Sequence, residues 1–282
     1  MKAGGAGSTP DGATKQPNDI SQALAYFLED VGSAVFCLNT TVVGLAAVEG
    51  GYKKPDTLDV SWTPRDNVIA ARKARKFVVE SVLVRVSEAL NQYVSAISKL
   101  SQFASVRSRW AAGEDTVSFA EKVSELAKTV LKGEEYLIPA AVLLVHWRNR
   151  VVHKQSRAGL GKRQRELLIT NAGEISSKYK GLDIVRTLGD FENGRPTLKE
   201  ISSLIAMTIN LVRRMDGSVN KQITKEDLLG WLEVFHIEKE LAKVRAETAP
   251  EKLEAAISRV FASRAPQLFE PYRMFFINTV VT

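Results

Sequence analysis

The chain has 282 residues, 45% hydrophobic and 25% charged, enough apolar content for a sizeable core and an ordinary charge density for a soluble protein. A net charge of +7 and a pI near 9.4 favour a polyanionic partner. One cysteine, Cys37, excludes an intrachain disulfide and suits a reducing cytosol, and with only three histidines it argues against a zinc site.

The first 18 residues are Gly, Ala, Ser, Thr, Pro and Lys without an apolar period, which predicts a disordered tail and no secretory signal. Asp19 to Val48 reads as helix, with a possible break at Asn39-Thr40-Thr41. Val31 to Val48 carries no charge, but its Gly, Ser, Asn and Thr content makes a poor membrane span, so a buried helix is expected. Gly50-Gly51 and Pro55 mark a loop. Thr63-Pro64-Arg65-Asp66 predicts a helix start, with Thr63 as N-cap. From Val68 to Leu100 apolar residues recur at three- and four-residue steps, with no Gly or Pro before Gly113, which predicts one long bundle helix. Its first turns carry Arg72, Lys73, Arg75 and Lys76, either a solvated face or one wall of an RNA groove.

Further helices are predicted at Thr116 to Leu131, from Tyr136 to His153, at Arg163 to Tyr179, and at Thr197 to Met215, ended by Asp216-Gly217. Gly181 to Pro196 reads as turn-rich. Thr224 to Glu247 and Pro250 to Ala262 follow, and the aromatics of Leu268 to Phe276 suit a docking tail. The expected organisation is all-α: a tail at 1–18, a helical bundle at 19–215 and a C-terminal helical extension at 216–282.

The stretch Leu143 to His153 draws the functional reading. An apolar helix acquires, in its last eight residues, two arginines, an asparagine and two of the three histidines. At about 100° per residue, His146, Asn149, Arg150 and His153 share one arc, while Arg148 falls at the margin of the apolar face. A guanidinium there cannot shed its charge and needs a partner. Beyond His153, no acidic residue intervenes between Glu135 and Glu166. Arg148, Arg150, Lys154, Arg157, Lys162, Arg163 and Arg165 all lie in that interval. A basic loop after a histidine suits phosphate contact or, blandly, solvation.

Arg148-Asn149, three residues, then His153 resembles the Arg-polar-x(3–5)-His signature of the HEPN superfamily, over a segment running from Thr63 to about Met215. That resemblance implies an all-helical fold and a metal-independent endoribonuclease with no cofactor. It also implies a homodimer whose composite site presents two histidines, and a cytoplasmic role as a toxin or antiviral-defence effector under a regulatory or antitoxin protein. Arg148, Asn149 and His153 would be catalytic; Arg150, Lys154, Arg157, Lys162 and Arg163 would bind RNA. Gln155 stands where one variant of the family carries a tyrosine that an antitoxin modifies, which weakens that pairing. The chemistry is self-consistent, because histidine titrates near neutrality and arginine holds phosphoryl oxygens permanently. The alternative is a non-catalytic helical RNA-binding or scaffold module. His146 reads as supporting, and His236 as a packed helix residue. Gly159-Leu160-Gly161-Lys162 lacks the spacing of a phosphate loop, and Glu134-Glu135 reads as a helix start rather than a metal pair.

Overall fold

The computed structural model describes residues 21–113, 116–153, 155–234 and 237–264. The tail at 1–18, the aromatic C-terminal stretch, Lys154 and His236 lie outside them. The described residues form twelve α-helices and no strand. The all-α expectation holds.

The helix α5 (Leu137–Val152) is the axis of the bundle. Every residue from Leu137 to Val145 is buried, as is Trp147, and α2, α4 and α9 pack around it. Such all-round burial requires an uncharged helix, which this stretch is until Arg148. Pro139 is tolerated in the first turn, where its missing N–H has no intrahelical acceptor.

On one side, α1 (Gln22–Glu49) and α2 (Asn67–Ile97) form an antiparallel hairpin. Its register is set by Arg75–Glu49 and Arg85–Asp30 ion pairs and by Phe27 against Tyr93. The helix α1 is unbroken at Asn39–Thr41, and the Thr41 hydroxyl donates to the Cys37 carbonyl within the helix rather than ending it. The start of α2 is capped by Asp66, which accepts from the Ile69 amide at 2.9 Å, rather than by Thr63. Its end comes at Ile97, earlier than the sequence suggests. Arg107 of α3 (Ala104–Ala112) turns back to donate to the Ser98 and Leu100 carbonyls, satisfying the helix end there.

The remaining bundle helices are α4 (Phe119–Val130), α6 (Lys162–Thr170), α7 (Ala172–Lys178), α8 (Ile184–Glu192) and α9 (Leu198–Asn220). Capping boxes open α4 at Ser118/Glu121 and α9 at Thr197/Glu200. The helix α8 occupies the segment expected to be turns, and α9 runs through Asp216–Gly217 to Asn220. Glu134, in a left-handed turn at φ 48°, reaches both Lys178 and Arg214 and so anchors the start of α5. The helices α10 (Lys225–Val234), α11 (Glu238–Glu247) and α12 (Pro250–Arg264) bury a separate small core around Ile237, Ile257 and Phe261. Asp227 ties it to the bundle by accepting from Ser101.

One feature of the hairpin positions the site. The Ser21 amide donates to Asp216 at 3.0 Å, and the Tyr93 hydroxyl to the Val212 carbonyl at 3.5 Å, so the paired ends of α1 and α2 meet the C-terminal end of α9. Glu134–Arg214 puts the start of α5 at that same end. The buried stripe of α1, Leu24, Phe27, Val31, Ala34 and Leu38, then stops. At 1.5 Å per residue Leu38 lies about 25 Å along α1 from Ser21. Beyond it Asn39–Glu49, about 16 Å of helix, holds no buried residue, although Val42 still packs partly against the core. Ala71 is the one residue of 67–78 that is buried. The uncharged helix is therefore not a buried core helix as expected. It is long and apolar enough to cross a membrane, and only 17% of its most apolar stretch is buried.

Candidate functional site

The last turn of α5 divides its polar residues into two groups with different duties. Arg150 belongs to the fold. Its Nε donates to the Ala158 carbonyl at 3.2 Å and its Nη1 to the Phe191 carbonyl at 3.0 Å. The guanidinium meets Glu192 at 3.1 Å and lies 3.7 Å from the centroid of the Phe191 ring. Trp147 meets the same ring edge-on at 5.5 Å. Arg165 also grips Glu192. The hydrogen bond from Arg165, and then Arg150, hold the Glu192 carboxyl below the usual carboxylate range. This knot clamps α5, the following loop and α8 together. Arg150 was expected to bind RNA; its donors and its flat face are instead occupied within the protein.

Arg148, Asn149 and His153 form the second group. Arg148 is half-buried, and its Nη1 donates to the Asn149 Oδ1 at 3.2 Å. It makes no ion pair among the described residues. The partner demanded by its place beside the apolar face is thus a neutral amide, which leaves the charge uncompensated. His153 ends the helix in an extended conformation (φ −115°, ψ 91°); its amide donates to the Asn149 carbonyl at 2.8 Å. Its side chain is exposed. The structure therefore places the three residues on one helix turn, with a bond between the first two and the third open to solvent.

Of the loop cations, Arg157 is exposed, Lys162 pairs weakly with Glu166 at 3.9 Å, and Arg163 is exposed beside a cavity. That cavity, about 420 Å³, is lined by Lys128, Ile138, Pro139 and Arg163. It shares Ser124, Lys128 and Gln164 with a second, about 350 Å³, floored by Val142 and His146 and walled by Glu121 and Gly159. Burial first, and Arg150 second, push the His146 imidazole below its ordinary value, with Glu121 opposing. Its buried Nδ1 has no hydrogen-bond partner among the described residues. His146 is thus a neutral half-buried ring in a groove, one turn before the exposed cluster.

Glu192 and Glu121 shape this site and lie 42 and 25 residues from the side chains they face. No local spacing announces them, although Ile184, Leu188 and Phe191 carry the helical period that would have found α8. Fold and site together define an all-α bundle with an arginine that makes no ion pair among the described residues and a solvent-facing histidine at the end of its central helix. Comparison with protein-family models, with curated proteins and with solved structures finds no match for this chain.

Proposed function

We propose that the chain is a metal-independent endoribonuclease in which Arg148, Asn149 and His153 act on RNA. The observation that carries this reading is the state of Arg148: a half-buried guanidinium with an amide as its bonded partner, on the turn that ends in an exposed histidine. Such an arrangement suits an incoming phosphate, which would supply the missing negative charge. In the reaction the RNA 2′-oxygen attacks phosphorus as His153 accepts its proton. The imidazolium so formed, or that of a second copy, protonates the departing 5′-oxygen, giving a 2′,3′-cyclic phosphate and a 5′-hydroxyl. Arg148 stabilises the charge that builds on the phosphoryl oxygens, and Asn149 fixes the guanidinium. A second copy would provide a second histidine, allowing separate acid and base. The resemblance to the HEPN superfamily adds a role in the cytoplasm as a toxin or antiviral effector held in check by a regulatory protein.

A non-catalytic scaffold or RNA-binding module is the competing reading, favoured by the large exposed face of α1. One experiment separates them. Labelled RNA and DNA of one sequence are incubated with the protein in excess chelator. RNA is expected to be cut, leaving cyclic phosphate ends, and DNA to bind at low salt but stay intact. Binding without cleavage supports the module, and strict dependence on a divalent ion overturns the mechanism.

A further inference from the structure

The helix α1 has two faces. Leu24, Phe27, Val31, Ala34 and Leu38 turn inward. On the other side Ser33, Phe36, Cys37, Thr40, Val43, Gly44 and Ala47 are all exposed, Phe36 and Val43 each at 72%. Those seven positions follow a heptad: 33, 40 and 47 repeat by seven, as do 36 and 43, and 37 and 44. That is the periodicity of a helix that packs along another helix. No residue of the set is charged.

Two glycines sharpen the point. Gly32 and Gly44 sit inside the helix, where glycine is among the poorest formers. A Cβ built on either meets nothing within 4 Å. Among the described residues nothing gives a packing reason for either, and Gly44, one of the seven, would admit the close approach of a second helix.

The pattern is also complementary to itself. If a second α1 is laid antiparallel about a two-fold axis at Thr40, Phe36 falls opposite Gly44, Val43 opposite Cys37, Ser33 opposite Ala47, and Thr40 opposite its own copy. Each large residue meets a small one, and all seven positions map onto one another. A lipid surface would instead favour bulky apolar residues across the face, without the hydroxyls of Ser33 and Thr40 at its centre.

We infer that this face is the contact between two copies of the chain, packed antiparallel with the axis passing by Thr40. The same two-fold axis would relate the two Arg148–His153 turns to one another. The interface stands on the geometry of α1; its consequence for a shared site rests on the function proposed above. The seven positions span about 21 Å of helix, less than a standard interface of about 800 Å² per partner provides. Association is accordingly expected at micromolar concentrations.

The test is light scattering on the full chain at about 50 μM, with a crosslinking arm. Wild type is expected to be dimeric. Val43→Glu is expected to give a monomer of unchanged helicity. Adding Cys37→Lys to it should recover the dimer, through two Lys–Glu pairs across the axis. Thr40→Cys in a Cys37→Ser background should form an interchain disulfide on mild oxidation. Wild type should not, since its Cys37 residues are offset by six positions, about 9 Å along the axis. A parallel pair would link at both positions, and that result overturns the arrangement. So does a monomeric wild type, a Val43→Glu variant that remains dimeric, or a monomer that floats with anionic vesicles. Should Val43→Glu lose helicity, the Thr40→Cys disulfide decides alone. RNA cleavage is scored separately: a dimer that does not cut RNA removes the proposed function and leaves this interface standing, and a monomer that cuts does the reverse.

Discussion

Alanine at Arg148 and at Arg150, two residues apart on one helix turn, should give opposite phenotypes. Arg150→Ala removes two hydrogen bonds to the Ala158 and Phe191 carbonyls, about 1 kcal/mol each. It also loses the pairing with Glu192, held within about 1 kcal/mol because Glu192 is 43% exposed. The stack on Phe191 adds about 0.5–1 kcal/mol. The total is about 3 kcal/mol, which for a domain of this size lowers the melting temperature by about 6–12 °C. Arg148→Ala breaks one bond to Asn149 and should cost under about 1 kcal/mol, while removing the cation that would meet the phosphorane, about 10²–10³ in rate. Thermal melts followed by circular dichroism, with cleavage rates measured well below each midpoint, give both numbers for both variants. An Arg150→Ala protein as stable as wild type would refute the structural assignment of the knot. An Arg148→Ala protein of full activity would remove the observation on which the proposed function rests.

Three further outcomes are expected. His153→Ala should lower cleavage by about 10²–10⁴ and shift stability by less than about 0.5 kcal/mol, because the side chain is exposed at a helix end; full activity or an unfolded protein would assign the histidine to structure. Neutralising Lys154, Arg157, Lys162 and Arg163 together should weaken RNA binding and flatten its dependence on salt, and an unchanged slope would mark the loop as merely solvated. His146 should produce an acid-labile limb in a plot of melting temperature against pH. Its folded value lies below the ordinary 6.5, so the unfolded chain takes up the proton more readily and stability falls as pH drops through that window. His146→Gln should flatten that limb, and a limb unchanged in the variant would place its origin elsewhere.

How far the fold could be read beforehand depended on whether the signal was local. The start of α9 was legible because Thr197 and Glu200 make their capping contacts three residues apart. The core axis was legible because α5 carries no charge for its first eleven residues. The end of α2 was not, since the residue that satisfies its last carbonyls is Arg107, beyond the turn. Nor was α8, whose Gly189 and flanking glycines resemble turn punctuation although Asp183 caps a good amphipathic period. For the site, the wheel set Arg148 at the margin of the apolar face, where it is half-buried, and put Asn149 and His153 on one arc with Arg150. It could not show that the donors of Arg150 would be taken up within the protein, because Glu192 and Phe191 are delivered by a helix some forty residues on. It also could not say that α1 would have one face covered rather than two, since an uncharged helix looks the same whichever partner covers it.

The bond between Ser21 and Asp216 has a topological meaning. It brings the first turn of α1 against the last turns of α9, where Asp216 also accepts from Asn220 at 3.0 Å, so the chain from 21 to 220 begins and finishes at one place. A polypeptide arranged in this way is a closed loop in all but one peptide bond. A short linker joining Asn220 to Ser21 would complete it, and new ends could be opened in the exposed loop around Gly51 that joins α1 to α2. Cut there, α1 and α2 would no longer be neighbours in sequence. Their antiparallel pairing would then have to form by docking across the whole bundle, which makes the permuted chain a means of asking whether the hairpin folds first or last.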